Sequence, residues 1–180
     1  MHILSNDVFV VRPLFTADAD ALLAAVLASH AEISAWESWC VPDYGKQHAV
    51  DFLKVCEQGW QQGSEFSCGI FSQADASLMG TVALNHIRKM YNMANLGYWI
   101  RSDSTGSGIA TRAALALATF GLGQIGLGRI EIVVRHDNLA SRRVAEKLGA
   151  RAEGLARNRL LLHGEPKDAM MYSLIPADLR

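Results

Sequence analysis

Hydrophobic residues recur along this chain with two different periods, and each change of period marks a boundary between predicted elements. Spacings of three or four residues predict amphipathic helices at about residues 16–30, 46–61, 109–122 and 137–148. Alternating or continuous runs of aliphatic, β-branched and aromatic residues predict strands at about residues 8–13, 66–71, 78–88, 94–100, 130–134, 158–162 and 169–175. Residues 31–44 follow neither period, so we expect an irregular segment there. The predicted order is β-α-α-β-β-β-α-β-α-β-β.

Length and continuity favour a single domain. The 180 residues are enough for one substantial hydrophobic core, and no repeat, low-complexity tract or linker interrupts the pattern. We therefore predict one α/β (α+β) domain over residues 8–175. The formal net charge is −1 and the chain has no long run of Lys or Arg, which argues against a nucleic-acid partner.

The remaining composition favours a soluble cytoplasmic protein without a membrane partner. The N-terminus lacks a basic segment followed by an apolar one, and the longest uncharged run, residues 113–128, is too short and glycine-rich to cross a bilayer comfortably. Cys40, Cys56 and Cys68 have neither metal-ligand nor redox spacing. We expect these cysteines to be core residues, and we expect no metal site.

A glycine turn is the first candidate for ligand binding. Gly97-Tyr98-Trp99-Ile100 is typical of a strand end, and Thr105-Gly106-Ser107-Gly108 then leads directly into the helix predicted at 109–122. The first N–H groups of a helix are unpaired and carry a partial positive charge, and glycines let a ligand approach them closely, so the turn suits a phosphate. Lys-Ser/Thr is missing after the second glycine, and the preceding strands are predicted to be antiparallel. These features exclude a P-loop and a Rossmann turn.

The ordered motifs resemble the GNAT acetyltransferases. Residues 105–110 are similar to the family's Gln/Arg-x-x-Gly-x-Gly/Ala turn. Arg135-His136-Asp137-Asn138-Leu139-Ala140-Ser141, then Leu148-Gly149, is similar to the Rim subgroup, which acetylates the N-termini of ribosomal proteins. The closing His163-Gly164-Glu165 and Asp168-Ala169-Met170-Met171-Tyr172 add to the likeness, which covers about residues 8–175. It implies a mixed, mostly antiparallel sheet of about seven strands flanked by about four helices.

The resemblance implies acetyl-CoA as the co-substrate. Backbone groups of Trp99, Ile100 and Arg101 are expected beside the pantetheine arm, and an N–H near Trp99 or Ile100 is expected to bind the thioester carbonyl. The pyrophosphate is expected to contact the backbone of Gly106, Ser107, Gly108, Ile109, Ala110 and Thr111. Relatives often carry Gln or Arg at the position of Thr105 and Lys or Arg at that of Ser107. Phosphate binding is therefore expected to be weaker unless Arg101 or Arg112 compensates.

Two further polar residues match the family's site. Asn138 either only caps the helix that follows it or also hydrogen-bonds the cofactor. Ser141 is either a first-turn polar residue or the group that donates a proton to the departing thiolate. Some Rim relatives place a glutamate on the strand after the last helix, whereas residues 157–163 contain no carboxylate. The candidates for a general base are Glu32, Glu37, His86, Glu131 and His163.

The acceptor is predicted from the aromatic residues and from amine chemistry. Trp36, Trp39 and Tyr44 either pack internally or form one wall of an acceptor groove, with Tyr91 on the opposite rim. A free α-amine has a pKa near ~8 and is partly neutral at pH 7, so it needs little help from a base. We therefore expect direct acetyl transfer in a ternary complex to a primary amine, preferably a protein α-amine. A small-molecule amine (polyamine, amino acid or antibiotic) and a non-catalytic acyl-CoA-binding module are the alternatives. The protein is expected to be a monomer or a homodimer.

Overall fold

The computed structural model describes residues 1–179, and these residues form one eight-stranded sheet. The strands are β1 Leu4–Ser5, β2 Phe9–Pro13, β3 Phe66–Ser72, β4 Leu78–Arg88, β5 Met93–Ile100, β6 Arg129–Arg135, β7 Arg151–Leu162 and β8 Glu165–Leu174. The helices between them are α1 Ala19–Ala28, α2 His30–Ser34, α3 Lys46–Gln62, α4 Ile109–Phe120 and α5 Leu139–Lys147. The expected mixed, mostly antiparallel sheet is confirmed.

The strand order is β1-β2-β3-β4-β5-β6-β8-β7, and β5 and β6 are the parallel pair. This pair is short. Its register runs from Met93 opposite Arg129 to Asn95 opposite Glu131, although β5 continues to Ile100 and β6 to Arg135. The two strands therefore separate over their C-terminal halves, and no strand within residues 1–179 fills the gap between them.

Hydrophobic side chains fill both faces of the sheet. Ile70 and Phe71 are adjacent in β3 and belong to different buried clusters, because successive strand residues point to opposite faces. The larger cluster includes Ala113, Ala114 and Leu117 of α4. The small alanine side chains let this helix lie close to β4 and β5. Helices α1 and α3 cover the other face.

Three local differences from the sequence predictions have physical causes. The extra strand β1 pairs with Val10 and Val11, a tertiary contact that a two-residue segment does not reveal. The short helix α2 lies partly within the segment predicted to be irregular. Helix α1 begins at Ala19, three residues after its predicted start, and the Thr16 hydroxyl donates to Glu57 Oε1 at 3.0 Å. Within residues 1–179, no helix is long and apolar enough to cross a membrane.

Gly80 fixes the position of the last residues of β5. It pairs with Ile100, and a Cβ atom added to Gly80 would lie 2.3 Å from the carbonyl oxygen of Trp99 and 2.9 Å from Cα of Ile100. Both are backbone atoms, so neither can rotate away. We expect Gly80→Ala to lower the free energy of unfolding by about 1–3 kcal/mol, as overpacking does, measured by urea denaturation.

Gly97→Ala is the matched control in the neighbouring strand. The nearest atom to an added Cβ there is Nδ2 of Asn85 at 3.7 Å, an ordinary van der Waals distance. We expect this variant to change the free energy of unfolding by less than about 1 kcal/mol. Equal losses in the two variants would contradict the steric role given to Gly80.

Candidate active site

A cleft of about 750 Å³ opens where β5 and β6 separate. Residues 98–100 of β5 and 133–135 of β6 form its two sides. The glycine turn and the start of α4 lie at one end, and residues 32–33 and 36–39 contribute a wall of side chains. One continuous cavity therefore joins a helix N-terminus, two diverging strands and an aromatic segment.

The backbone of β5 presents hydrogen-bonding groups to this cleft. The N–H of Arg101 donates to the carbonyl oxygen of Met79 at 2.8 Å, so the odd-numbered residues at this end pair with β4. Antiparallel pairing alternates, and the N–H and C=O groups of Tyr98 and Ile100 consequently point towards the gap. The backbone of Trp99 pairs with β4, and this residue contributes its indole to the cleft.

The glycine turn leads into helix α4 and exposes the first N–H groups of that helix to the cleft. Gly106 and Gly108 have φ angles of +80° and +75°, a left-handed conformation that favours glycine, and Gly108 is the N-cap residue of α4. Arg112 donates the first backbone hydrogen bond of the helix, to Gly108. The N–H groups of Ile109, Ala110 and Thr111 precede it and lack intrahelical acceptors, and all three residues line the cleft. Such N–H groups suit a phosphate.

The side chains of the turn serve the loop itself. Thr105 Oγ1 donates to the carbonyl oxygen of Ser102 at 2.9 Å, and Ser107 Oγ donates to that of Ser104 at 3.0 Å. Ser107 itself does not line the cleft. The hydroxyl protons of both side chains are therefore used within the turn and stabilise its conformation.

The two arginines expected to compensate are engaged outside the cleft. Arg101 pairs with Asp103 at 2.7 Å and donates to the carbonyl oxygen of Leu78, and the guanidinium of Arg112 lies 4.8 Å from the ring centre of Phe9. Neither arginine lines the cleft. The cleft instead contains Arg143 and Lys147 of α5.

Arg143 and Lys147 share one face of α5 because they are four residues apart. Neither forms an ion pair with an acidic side chain of residues 1–179. Their spacing could have indicated a shared cationic face. The direction of that face depends on how α5 packs against β6, which the sequence does not specify.

Ser141 and Asn138 meet Tyr98 at the start of α5. Asn138 Oδ1 accepts a hydrogen bond from the N–H of Ser141 at 3.0 Å, which makes it the N-cap of the helix. Ser141 Oγ donates to the hydroxyl of Tyr98 at 3.2 Å, and that hydroxyl donates to the carbonyl oxygen of Ser141 at 3.0 Å. Burial raises the pKa of Tyr98 to about 12. Tyr98 therefore remains protonated at neutral pH and orients Ser141. In the sequence, the alternation of Tyr98 with Leu96 and Ile100 was the pattern that indicated which face of the strand Tyr98 shares.

Trp36 and Trp39 form the aromatic wall of the cleft, and each of them packs against a residue of a neighbouring strand. The Arg135 guanidinium lies 4.1 Å from the ring centre of Trp36 and pairs with Asp137 at 2.6 Å. The ring centres of Trp39 and Trp99 are 6.2 Å apart. Both Trp36 and Trp39 line the cleft and are about two-fifths exposed.

Other predicted acceptor and base residues lie elsewhere. Tyr44 is buried and stacks on His48, and Tyr91 is exposed beyond the far end of β5. Among the base candidates, Glu32 and Glu37 line the cleft, whereas His86, Glu131 and His163 do not. The predicted site residues that do line it are Trp36, Trp39, Trp99, Ile100, Gly106, Gly108, Ile109, Ala110, Thr111, Asn138 and Ser141.

Comparisons with known proteins agree with this architecture. The family model for the acetyltransferase (GNAT) domain matches residues 9–151. The Bacillus subtilis protein YdaF, provisionally named a ribosomal N-acetyltransferase, is 27% identical over 183 residues, covering 94% of this chain and 92% of its own. The Escherichia coli ribosomal protein uS5-alanine N-acetyltransferase is 25% identical over 181 residues, covering 97% and 91%.

A solved relative gives the same result in three dimensions. The structure of Mycobacterium smegmatis RimJ in complex with CoA-disulfide has a TM-score of 0.82 and 27% identity, covering 95% of this chain and 83% of that chain. The predicted fold and acyl donor are confirmed. With a family match over most of its length, the chain belongs to the GNAT acetyltransferases and is an N-acetyltransferase that uses acetyl-CoA as co-substrate.

Proposed function

We propose that this enzyme transfers the acetyl group of acetyl-CoA directly to a primary amine, preferably the α-amine at a protein N-terminus. The observation that carries this proposal is the continuity of the cleft. A single 750 Å³ cavity joins the α4 N-terminus, the open edge of β5, Ser141 and the aromatic wall. Donor and acceptor can therefore occupy it together, without an intermediate attached to the protein. A single catalytic domain over residues 8–175 and a cytoplasmic location remain predictions.

The donor half of the cleft fits the chemistry of acetyl-CoA. The N–H groups of residues 109–111 suit the pyrophosphate, and the backbone groups of Tyr98 and Ile100 suit the amides of an extended pantetheine arm. An N–H on this edge can also bind the thioester oxygen, with a hydrogen bond that strengthens as negative charge develops. Ser141 Oγ is the hydroxyl proposed to pass a proton to the departing sulfur.

The acceptor preference depends on amine chemistry and on the relatives. An α-amine with a pKa near ~8 is about one-tenth neutral at pH 7, whereas a lysine with a pKa near ~10.4 is neutral to less than about one part in a thousand. An enzyme with few bases in its cleft reacts more readily with the α-amine. The name of the Escherichia coli relative specifies an alanine of a ribosomal protein, which supports the same acceptor class.

An amine panel tests the acceptor class. Thiol release and mass spectrometry are measured with three acceptors: a peptide with a free N-terminus, the same peptide blocked at the N-terminus but containing lysine, and a polyamine. We expect the free α-amine to give the highest kcat/KM. Preference for the polyamine would favour the small-molecule alternative. Tight CoA binding in isothermal titration without thiol release would favour the binding-module alternative.

Ser141→Ala tests the proposed proton donor. We expect kcat to fall by about 100-fold, because a positioned acid is lost, while the Kd for CoA measured by isothermal titration stays unchanged. Ser64→Ala is the matched control, since Ser64 is exposed between α3 and β3 and lies outside the cleft. Wild-type turnover in Ser141→Ala would contradict the assignment.

Arg143 and Lys147 are proposed to supply the cationic contacts that the turn lacks. We expect Arg143→Ala and Lys147→Ala each to raise the Kd for CoA by about five- to tenfold at low salt, because each removes a charged partner of a phosphate. The effect should shrink as ionic strength rises. Arg159→Ala, on the exposed part of β7, is the control. An unchanged Kd in both α5 variants would show that the backbone suffices.

A further inference from the structure

Glu37 is a carboxylate of the cleft wall that has no cationic partner among the residues that the structure describes. It follows α2 in the turn that carries Trp36 and Trp39, and it lines the same cleft as Ser141. No Lys, Arg or His side chain within residues 1–179 forms an ion pair with it. Burial raises the pKa of the Glu37 carboxyl, and a hydrogen bond from the Trp39 side chain acts in the opposite direction. The site thus offers a desolvated negative charge to a cation from solution.

The turn that carries Glu37 is fixed by the chain around it. The N–H of Glu37 donates to the carbonyl oxygen of Ile33 at 2.9 Å, and the N–H of Cys40 donates to that of Glu37 at 3.3 Å. On one side, Arg135 donates to the carbonyl oxygen of Ala35 at 3.3 Å. The acid is consequently held by a defined backbone.

The hairpin between β7 and β8 fixes the same turn from its other side. The N–H of His163 donates to Ser38 Oγ at 2.8 Å, and His163 Nε2 lies 2.8 Å from the carbonyl oxygen of Ser34. Ser38 Oγ donates in turn to the carbonyl oxygen of Leu161. These contacts hold the chain on both sides of Glu37 and give His163 a structural role.

The charged and titratable groups of the cleft and of the segments that hold the Glu37 turn lie on several elements. They are Glu32 of α2, Cys40 of the same turn, Tyr98 of β5, Arg135 of β6, Arg143 and Lys147 of α5, and His163 of the β7–β8 hairpin. Burial and the nearby Glu37 raise the pKa of the Cys40 thiol, and burial raises that of Tyr98, so both remain neutral at pH 7. Arg135 is already paired with Asp137. These arrangements leave Glu37 available as a proton acceptor.

The other candidate bases are placed less favourably. Glu131 pairs with Arg129 at 3.1 Å, and His86 lies exposed near the β4–β5 turn, outside the cleft. Glu32 lines the cleft, but it is an exposed residue of α2. Glu37 therefore combines access to the cleft, partial burial and a fixed backbone.

Resting on the proposed function, we propose that Glu37 binds the acceptor ammonium and removes one of its protons before attack. The neutral nitrogen then forms a bond to the thioester carbonyl carbon, and the carbon–sulfur bond breaks. The nitrogen loses a second proton, which Ser141 relays to the departing sulfur. Glu37 releases the first proton to solvent. The products are the acetylated amine, the thiol of CoA and one proton.

The pH dependence of kcat/KM, measured with a free-N-terminus peptide, tests this assignment. In the wild type we expect activity to be lost on the acid side as Glu37 becomes protonated, at a pH above the usual carboxyl range because burial disfavours its charged form. In Glu37→Gln we expect the loss of activity on the acid side to begin at a higher pH, near the amine's own pKa of ~8. Relative to the wild type, kcat/KM should fall by about 100-fold at pH 6 and by much less at pH 9.

Glu165→Gln is the matched control, because Glu165 is exposed at the start of β8 and lies outside the cleft; its profile should match the wild type. An active wild type whose profile coincides with that of Glu37→Gln overturns the role of Glu37. An inactive wild type across the amine panel overturns the proposed function instead. If Glu37→Gln loses cooperative melting, Glu37→Asp replaces it. The shorter carboxylate should keep the acid-side loss of activity at the wild-type pH, with kcat/KM about tenfold lower. A wild-type kcat/KM in this variant would overturn the assignment.

Discussion

The early end of the β5–β6 pairing is the constraint on which the rest of this enzyme depends. Beyond Asn95 and Glu131 the two strands separate, which leaves backbone N–H and C=O groups of β5 without a neighbouring strand. Unpaired backbone groups are costly when they are buried, so this edge favours an extended ligand that carries amides. Helices α4 and α5 begin after these diverging strand ends. The separation of these two strands thus brings the glycine turn and Ser141 to the same cavity.

The sequence predicted those elements whose hydrophobic pattern reflects one-sided burial. Ile130, Ile132 and Val134 alternate because one face of β6 packs on the core, and all three are buried. Strand β7 begins at Arg151, seven residues before its predicted start. Most of its residues are exposed, so burial imposes no alternation that could reveal the strand. Isolated short elements such as α2 depend on tertiary contacts more than on local spacing.

The same distinction applies to the site. The glycine turn is local in sequence, and its backbone function follows from two residues and the helix after them. The pair formed by Tyr98 and Ser141 joins positions 43 residues apart, and no local pattern encodes that contact. The sequence likewise identified Arg101 and Arg112 as available cations but could not reveal that Asp103 and Phe9 engage them. Charge is visible in a sequence, whereas side-chain direction depends on the packed neighbours.

One side of the cleft is formed by main-chain groups and the opposite side by side chains, and this difference has an evolutionary consequence. The edge of β5 and the start of α4 present main-chain groups to the cleft, and point mutations leave such groups chemically intact. The opposite wall uses side chains of a turn in which Trp36 and Trp39 remain substantially exposed outside the core. Substitutions of these two exposed tryptophans would therefore change the acceptor side of the cleft and leave the main-chain groups of β5 and α4 in place. Such a scaffold can acquire new substrates by drift in a few positions, while its reaction stays the same.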